Sequence, residues 1–70
     1  MMLTKQVDWV VVEQRAERMS IAELCHARRD CAISAAMWDP YDRAYGTNLG
    51  GYYRDEASVY IRELLRRDAH

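Results

Sequence analysis

The sequence predicts an all-α fold, a small helical hairpin that dimerises into a helical bundle, and three observations carry it. Met19-Ser20-Ile21-Ala22-Glu23-Leu24 is a complete helix-start signature, apolar residues recur at three- and four-residue steps on both sides of residues 39–51, and every glycine and proline falls within 40–51. The 70 residues form one domain, 1–70.

The N-terminal segment is read as a helix over 5–18. Leu3, Val7, Val10, Val11 and Gln14 fit one helical face, and residues 13–18 are good helix formers. Trp9 followed by Val10-Val11-Val12 also has strand character, so a short strand over 7–12 is the minor alternative.

The second helix is expected over 21–38. Ser20 can accept from the amides that follow it, Glu23 can return a bond to the Ser20 amide, and Met19 with Leu24 stands where a hydrophobic staple stands. Leu24, Cys25, Ala27, Arg28, Cys31, Ala32, Ala35 and Trp38 then trace a face of mostly small side chains. Asp39-Pro40 is expected to end it, because a residue before proline is pushed out of the α region. A short turn from Pro40 to Tyr45 and a Gly46–Gly51 linker should follow, with Asp39 and Asp42 as caps.

The last helix is expected over 52–68. Tyr53, Ala57, Tyr60, Ile61, Leu64 and Leu65 form its apolar stripe. Asp55 and Glu56 stand near its start, Arg66 and Arg67 near its end, and Glu63 with Arg67 is an i,i+4 pair in the favourable order.

Composition narrows the function classes. Half the chain is apolar, 30% is charged, and ten basic residues against eleven acidic give a net charge of -1. That balance disfavours a main role in wrapping nucleic acid. No apolar run reaches the ~20 residues of a membrane span and no signal peptide opens the chain, so a cytoplasmic protein is expected. Ordering so short a chain costs nearly what its burial returns, and two cysteines supply no disulfide framework or zinc-finger spacing. A homodimer is the expected remedy.

Catalytic chemistry has little to stand on. Cys25 and Cys31 point about 240° apart on a helix and read as buried fillers rather than as a thiol sensor or, with His26, metal ligands. His26 and Asp30 read as a solvated i,i+4 pair. No nucleophile elbow or phosphate loop is present, so neither an enzyme nor a cofactor is expected. Five tyrosines, two tryptophans, and nine arginines against one lysine are the side chains enriched at interface centres. Trp38, Tyr41, Arg43 and Tyr45 gather at the expected helix-to-linker corner, and one of Arg28 and Arg29 falls near the apolar stripe; these six are the candidate partner-binding residues, the plain alternative being a packed elbow and a snorkelling arginine.

The layout from Met19 to Arg67, with the Ser20-Ile21-Ala22-Glu23-Leu24 start, Arg29-Asp30-Cys31 mid-helix and Gly51-Tyr52-Tyr53-Arg54-Asp55-Glu56 opening the last helix, resembles the small dimeric helical-hairpin anti-activators and host-takeover proteins of temperate phages. The resemblance implies a non-enzymatic homodimer that binds a larger host or cellular protein, such as a transcription regulator, and blocks or modulates it. The competing expectation is a small DNA-binding regulator of strand-helix-helix or helix-turn-helix type, against which stand the near-neutral charge and the Asp8, Trp9 and Glu13 around the valines.

Overall fold

The computed structural model describes residues 6–67. The chain folds as three helices, α1 (Trp9–Arg18), α2 (Ile21–Tyr45) and α3 (Leu49–Arg66), in an elongated body of 39 × 21 × 14 Å. α2 and α3 make the hairpin, and α1 packs against α3. The all-helical class is as expected, and the N-terminal segment contributes a helix, shorter than the one read over 5–18.

Helix α1 begins later than 5–18 because Asp8 caps it, its carboxylate accepting from the Val11 amide at 3.2 Å. Residue 5 lies outside the described residues, residues 6–8 are not helical, and residues 9–12 are helix rather than strand. The buried face also differs from the expected one. Val7, Val12 and Ala16 are buried, whereas Val10 and Val11 are exposed. Leu3 lies outside the described residues.

Helix α2 starts as its sequence dictates. The Ser20 hydroxyl accepts from the Glu23 amide at 3.1 Å, the Glu23 carboxylate accepts from the Ser20 amide at 2.8 Å, and Met19 and Leu24 both join the core. Its end is corrected from 38 to 45: Asp39-Pro40 does not stop it, and Gly46 at φ 69° does. Pro40 removes one amide, so the Ala36 carbonyl loses its donor, but both residues are exposed and water can serve that carbonyl. Asp39 is held helical by its ion pair with Arg54, and Asp42 by the amides it collects from α3.

Those same amides move the start of α3 from 52 to 49. Asn48 offers no side-chain cap, and the Asp42 carboxylate, one turn before the end of α2, takes the Leu49 amide at 2.9 Å and the Gly50 amide at 2.7 Å together with the Thr47 hydroxyl. The linker therefore shrinks to 46–48, and Gly50 and Gly51 are helical. Asp55 and Glu56 consequently do not lie in the first turn. At its other end α3 stops at Arg66, and residue 68 is outside the described residues.

Gly50 has a reason to be glycine. A Cβ there would stand 2.5 Å from Asp39 Oδ1, 2.9 Å from Asp42 Oδ2 and 3.2 Å from the Ala35 carbonyl. Glycine to alanine inside a helix ordinarily stabilises by about 1 kcal/mol. Here the sign should invert: Gly50→Ala is expected to cost about 1–3 kcal/mol, read as a lower urea midpoint, while Gly51→Ala, with nothing within 4 Å of its Cβ, keeps the ordinary gain.

Leu24, fully buried, joins Val12, Ala16, Cys31, Ala57, Val59, Tyr60 and Leu64 in the core. On α3 the expected stripe holds for Ala57, Tyr60 and Leu64. Ile61 and Leu65 are exposed, however, and Val59 and Glu63 are buried in addition. The cause is α1, which covers a second side of α3.

Candidate functional site

Two polar clusters fix the three helices, and both are structural. Glu63, a buried carboxylate, receives Arg66 and Arg67, the latter at 2.6 Å. Arg67 also donates to the carbonyls of Met19 at 2.6 Å, Glu17 at 2.9 Å and Ala16 at 3.0 Å, closing the C-terminus of α1. The expected Glu63–Arg67 pair is therefore present. The second cluster is Glu56, whose carboxylate accepts from the Tyr60 hydroxyl at 2.7 Å and from the Cys31 thiol at 3.5 Å. Between α1 and α3 a cleft of about 220 Å³ is lined by three acids, Glu13, Glu17 and Glu63, and two bases, Arg62 and Arg66. Arg62 at its edge lies 5.6 Å from the Trp9 ring centroid.

The two cysteines separate as helix geometry demands. Cys25 is exposed, against the expectation of a filler, and Cys31 is buried. Burial first, and then the Glu56 carboxylate, push the Cys31 thiol up to about 12. A thiol so held is not a nucleophile near neutral pH. A disulfide reagent at pH 8 should therefore titrate one thiol of the folded chain rapidly, and the second only after urea is added. His26 and Asp30 form the expected i,i+4 pair at 3.1 Å on the surface. Among the described residues no group of three or more His, Cys, Asp or Glu side chains is placed to hold a metal.

The six candidate interface residues all lie on α2, and the expected corner at residue 39 is not there. Trp38, Tyr41 and Tyr45 instead climb one continuous helix. Trp38 is half-buried and meets Tyr41 edge-on with centroids 5.2 Å apart, and the Tyr41 and Tyr45 rings lie 4.6 Å apart. Tyr45 keeps 64% of its surface exposed and Arg28, Arg29 and Arg43 are exposed. What the sequence reading missed is the pair Ile33 and Met37, exposed by 49% and 74%. With them the i,i+4 row Arg29, Ile33, Met37, Tyr41, Tyr45 is exposed throughout, winding about 40° round the helix at each step. Beside it Ala32, Ala36, Pro40 and Ala44 form a second exposed row of small side chains. The missed signal was available, since four-residue spacing from Ile33 to Tyr45 is visible once the helix is allowed to pass Pro40.

Comparison with family models, curated proteins and solved structures gives no match for this chain. No helix among the described residues is long and apolar enough to cross a membrane.

Proposed function

We propose that this chain is a non-enzymatic protein–protein interaction module, acting in the cytoplasm as a homodimer, that inhibits or modulates a larger protein. The observation that carries the reading is the outer face of α2. Ile33, Met37, Tyr41 and Tyr45 are all exposed on one helix row, and an apolar row of that length in a protein this small marks an interaction surface. Tyrosine and arginine, the side chains that dominate interface energetics, border it at Tyr41, Arg43 and Tyr45. Self-association is supported by the small core and by the apolar surface left on α2 and α3 at Ile21, Ile61 and Leu65. A transcription regulator as the target follows from the phage anti-activator resemblance.

Replacing Tyr41, Arg43 and Tyr45 together by alanine should abolish retention of the partner from a host lysate. Stability should change by no more than about 0.5 kcal/mol per site, because the three side chains are exposed. Retention by the triple variant would make the face structural. Sedimentation equilibrium tests the dimer directly, and a single monomeric species at all concentrations removes it.

A further inference from the structure

The charged side chains of α2 are sorted to opposite sides of the helix. Counted at about 100° per residue from the buried Leu24, Arg28 stands at about 40°, Arg43 at about 100° and Arg29 at about 140°. The exposed Glu23 and Asp30 stand at about 260° and about 240°, on the other flank. Asp39, at about 60°, is the one acid on the arginine side, and its ion pair with Arg54 neutralises it. That pair also shows that this side of α2 continues onto the side of α3 that carries Arg54. Arg28, Arg29 and Arg43 are exposed and pair with no carboxylate among the described residues, in contrast to Arg54, Arg62, Arg66 and Arg67. A net charge of -1 therefore conceals a basic stripe, because the acids gather elsewhere, three of them in the cleft between α1 and α3.

We propose that this side of the α2–α3 hairpin binds the phosphate backbone of nucleic acid, at a site separate from the Ile33–Met37–Tyr41 face. Fourteen residues separate Arg29 from Arg43, about 21 Å at the helical rise, and one strand of a duplex presents about six phosphates over that length. The guanidinium fork matches phosphate oxygens, and Arg54 broadens the stripe onto α3. Between Arg29 and Arg43 the exposed side chains on this side of α2 are Ala32 and Ala36, so a rigid strand can approach closely. The same floor selects a polyanion over a protein. Protein interfaces draw their energy from large buried anchors, and this stretch offers none. The exposed Ile61 and Leu65 of α3 stand toward the end of the hairpin away from Arg43. Charge excludes a second copy on the stripe, since it would set unpaired guanidiniums against their like. Contacts of this kind position a strand without reading its sequence, so the binding is indifferent to base order.

The test titrates the isotope-labelled full chain with a short DNA duplex of arbitrary sequence, follows the guanidinium Nε–H signals, and repeats the titration across salt concentrations. The signals of Arg28, Arg29 and Arg43 are expected to shift while the ring signals of Tyr41 and Tyr45 stay in place. Three neutralised phosphates give a slope of about −2.7 in the logarithm of affinity against that of salt, so a fourfold rise in salt should weaken binding about fortyfold, alike for unrelated sequences. Arg43→Gln alone should reduce that slope by about 0.9. The triple change R28Q, R29Q, R43Q should weaken binding at least about tenfold at low salt, with helicity by circular dichroism retained. A duplex that moves none of the three signals at low salt overturns the proposal and leaves the protein-binding reading standing. Undiminished affinity of the triple variant overturns it too, as do shifts confined to Arg15, Arg18, Arg62 and Arg66, which would place the site off α2. Polyglutamate that shifts the same three signals and binds more tightly than the duplex replaces nucleic acid by an acidic protein and likewise overturns it.

Discussion

Arg67→Ala should lower stability by about 2–3 kcal/mol and release α1 before the rest of the molecule. One guanidinium closes three carbonyls at the end of α1 and holds the buried Glu63 of α3, from a side chain only 21% exposed. Hydrogen bonds made by a charged donor each contribute about 1.5–3 kcal/mol, and water replaces part of that at a helix end, which keeps the sum in the stated range. Urea unfolding gives the total. Native-state hydrogen exchange gives the distribution: amides of α1 should lose protection while those of the α2–α3 hairpin retain theirs. Equal loss across all three helices would make Arg67 a general support rather than a clasp for α1. Arg67→Lys should not restore the effect, because a single ammonium cannot reach carbonyls and carboxylate with a fork's geometry.

The same cluster sets the acid limit of the fold. Hydrogen bonds from Arg66 and then Arg67 hold the Glu63 carboxyl down at about 2, below its ordinary 4.5. A carboxyl depressed in the folded state contributes its stability fully above 4.5 and loses it as the pH falls toward 2. Asp42 acts in the same direction. Burial works to raise its pKa, but Thr47 and the Gly50 and Leu49 amides, with Arg54 nearby, outweigh it and hold it low. Removing Arg67 leaves Glu63 one arginine, so the acid unfolding limb of Arg67→Ala should sit at higher pH than that of the parent.

These contacts explain which parts of the fold were legible in the sequence. The start of α2 was, because a capping box is written within four consecutive residues, and so were the helical periods of Leu24, Cys31, Ala57, Tyr60 and Leu64. The join between α2 and α3 was not. Its determinants are Asp42 reaching Leu49 and Gly50, and Arg54 reaching Asp39 across fifteen residues, and both override what proline and two glycines favour locally. The end of α1 was hidden likewise, since its cap arrives from Arg67 some fifty residues later. Of the candidate interface, residue types were legible and their arrangement was not: ending α2 at 38 turned one long row into a corner and left Ile33 and Met37 out of it.

Leu24→Ala should be a strongly damaging truncation, at about 3–4 kcal/mol. Alanine matches or exceeds leucine in helix propensity and the capping box is untouched, so the loss comes from burial alone. Leu24 is fully buried in the same cluster as Ala16, Tyr60 and Leu64, which joins all three helices. The neighbours cannot fill the space. Ala16 has no side chain to extend, and the Tyr60 hydroxyl is tied to Glu56, which restrains its ring. Truncations at sites that do not collapse lie toward the upper part of the 2–5 kcal/mol range. Against a total stability of about 4–10 kcal/mol for a domain of this length, that is about a third of the total or more. Leu65→Ala, at a position 55% exposed, is the control and should stay within about 0.5 kcal/mol of the parent. Urea midpoints by far-UV circular dichroism decide it. A Leu24→Ala midpoint close to that of Leu65→Ala would mean that the core re-packs, and that Tyr60 and Leu64 alone hold α2 to α3.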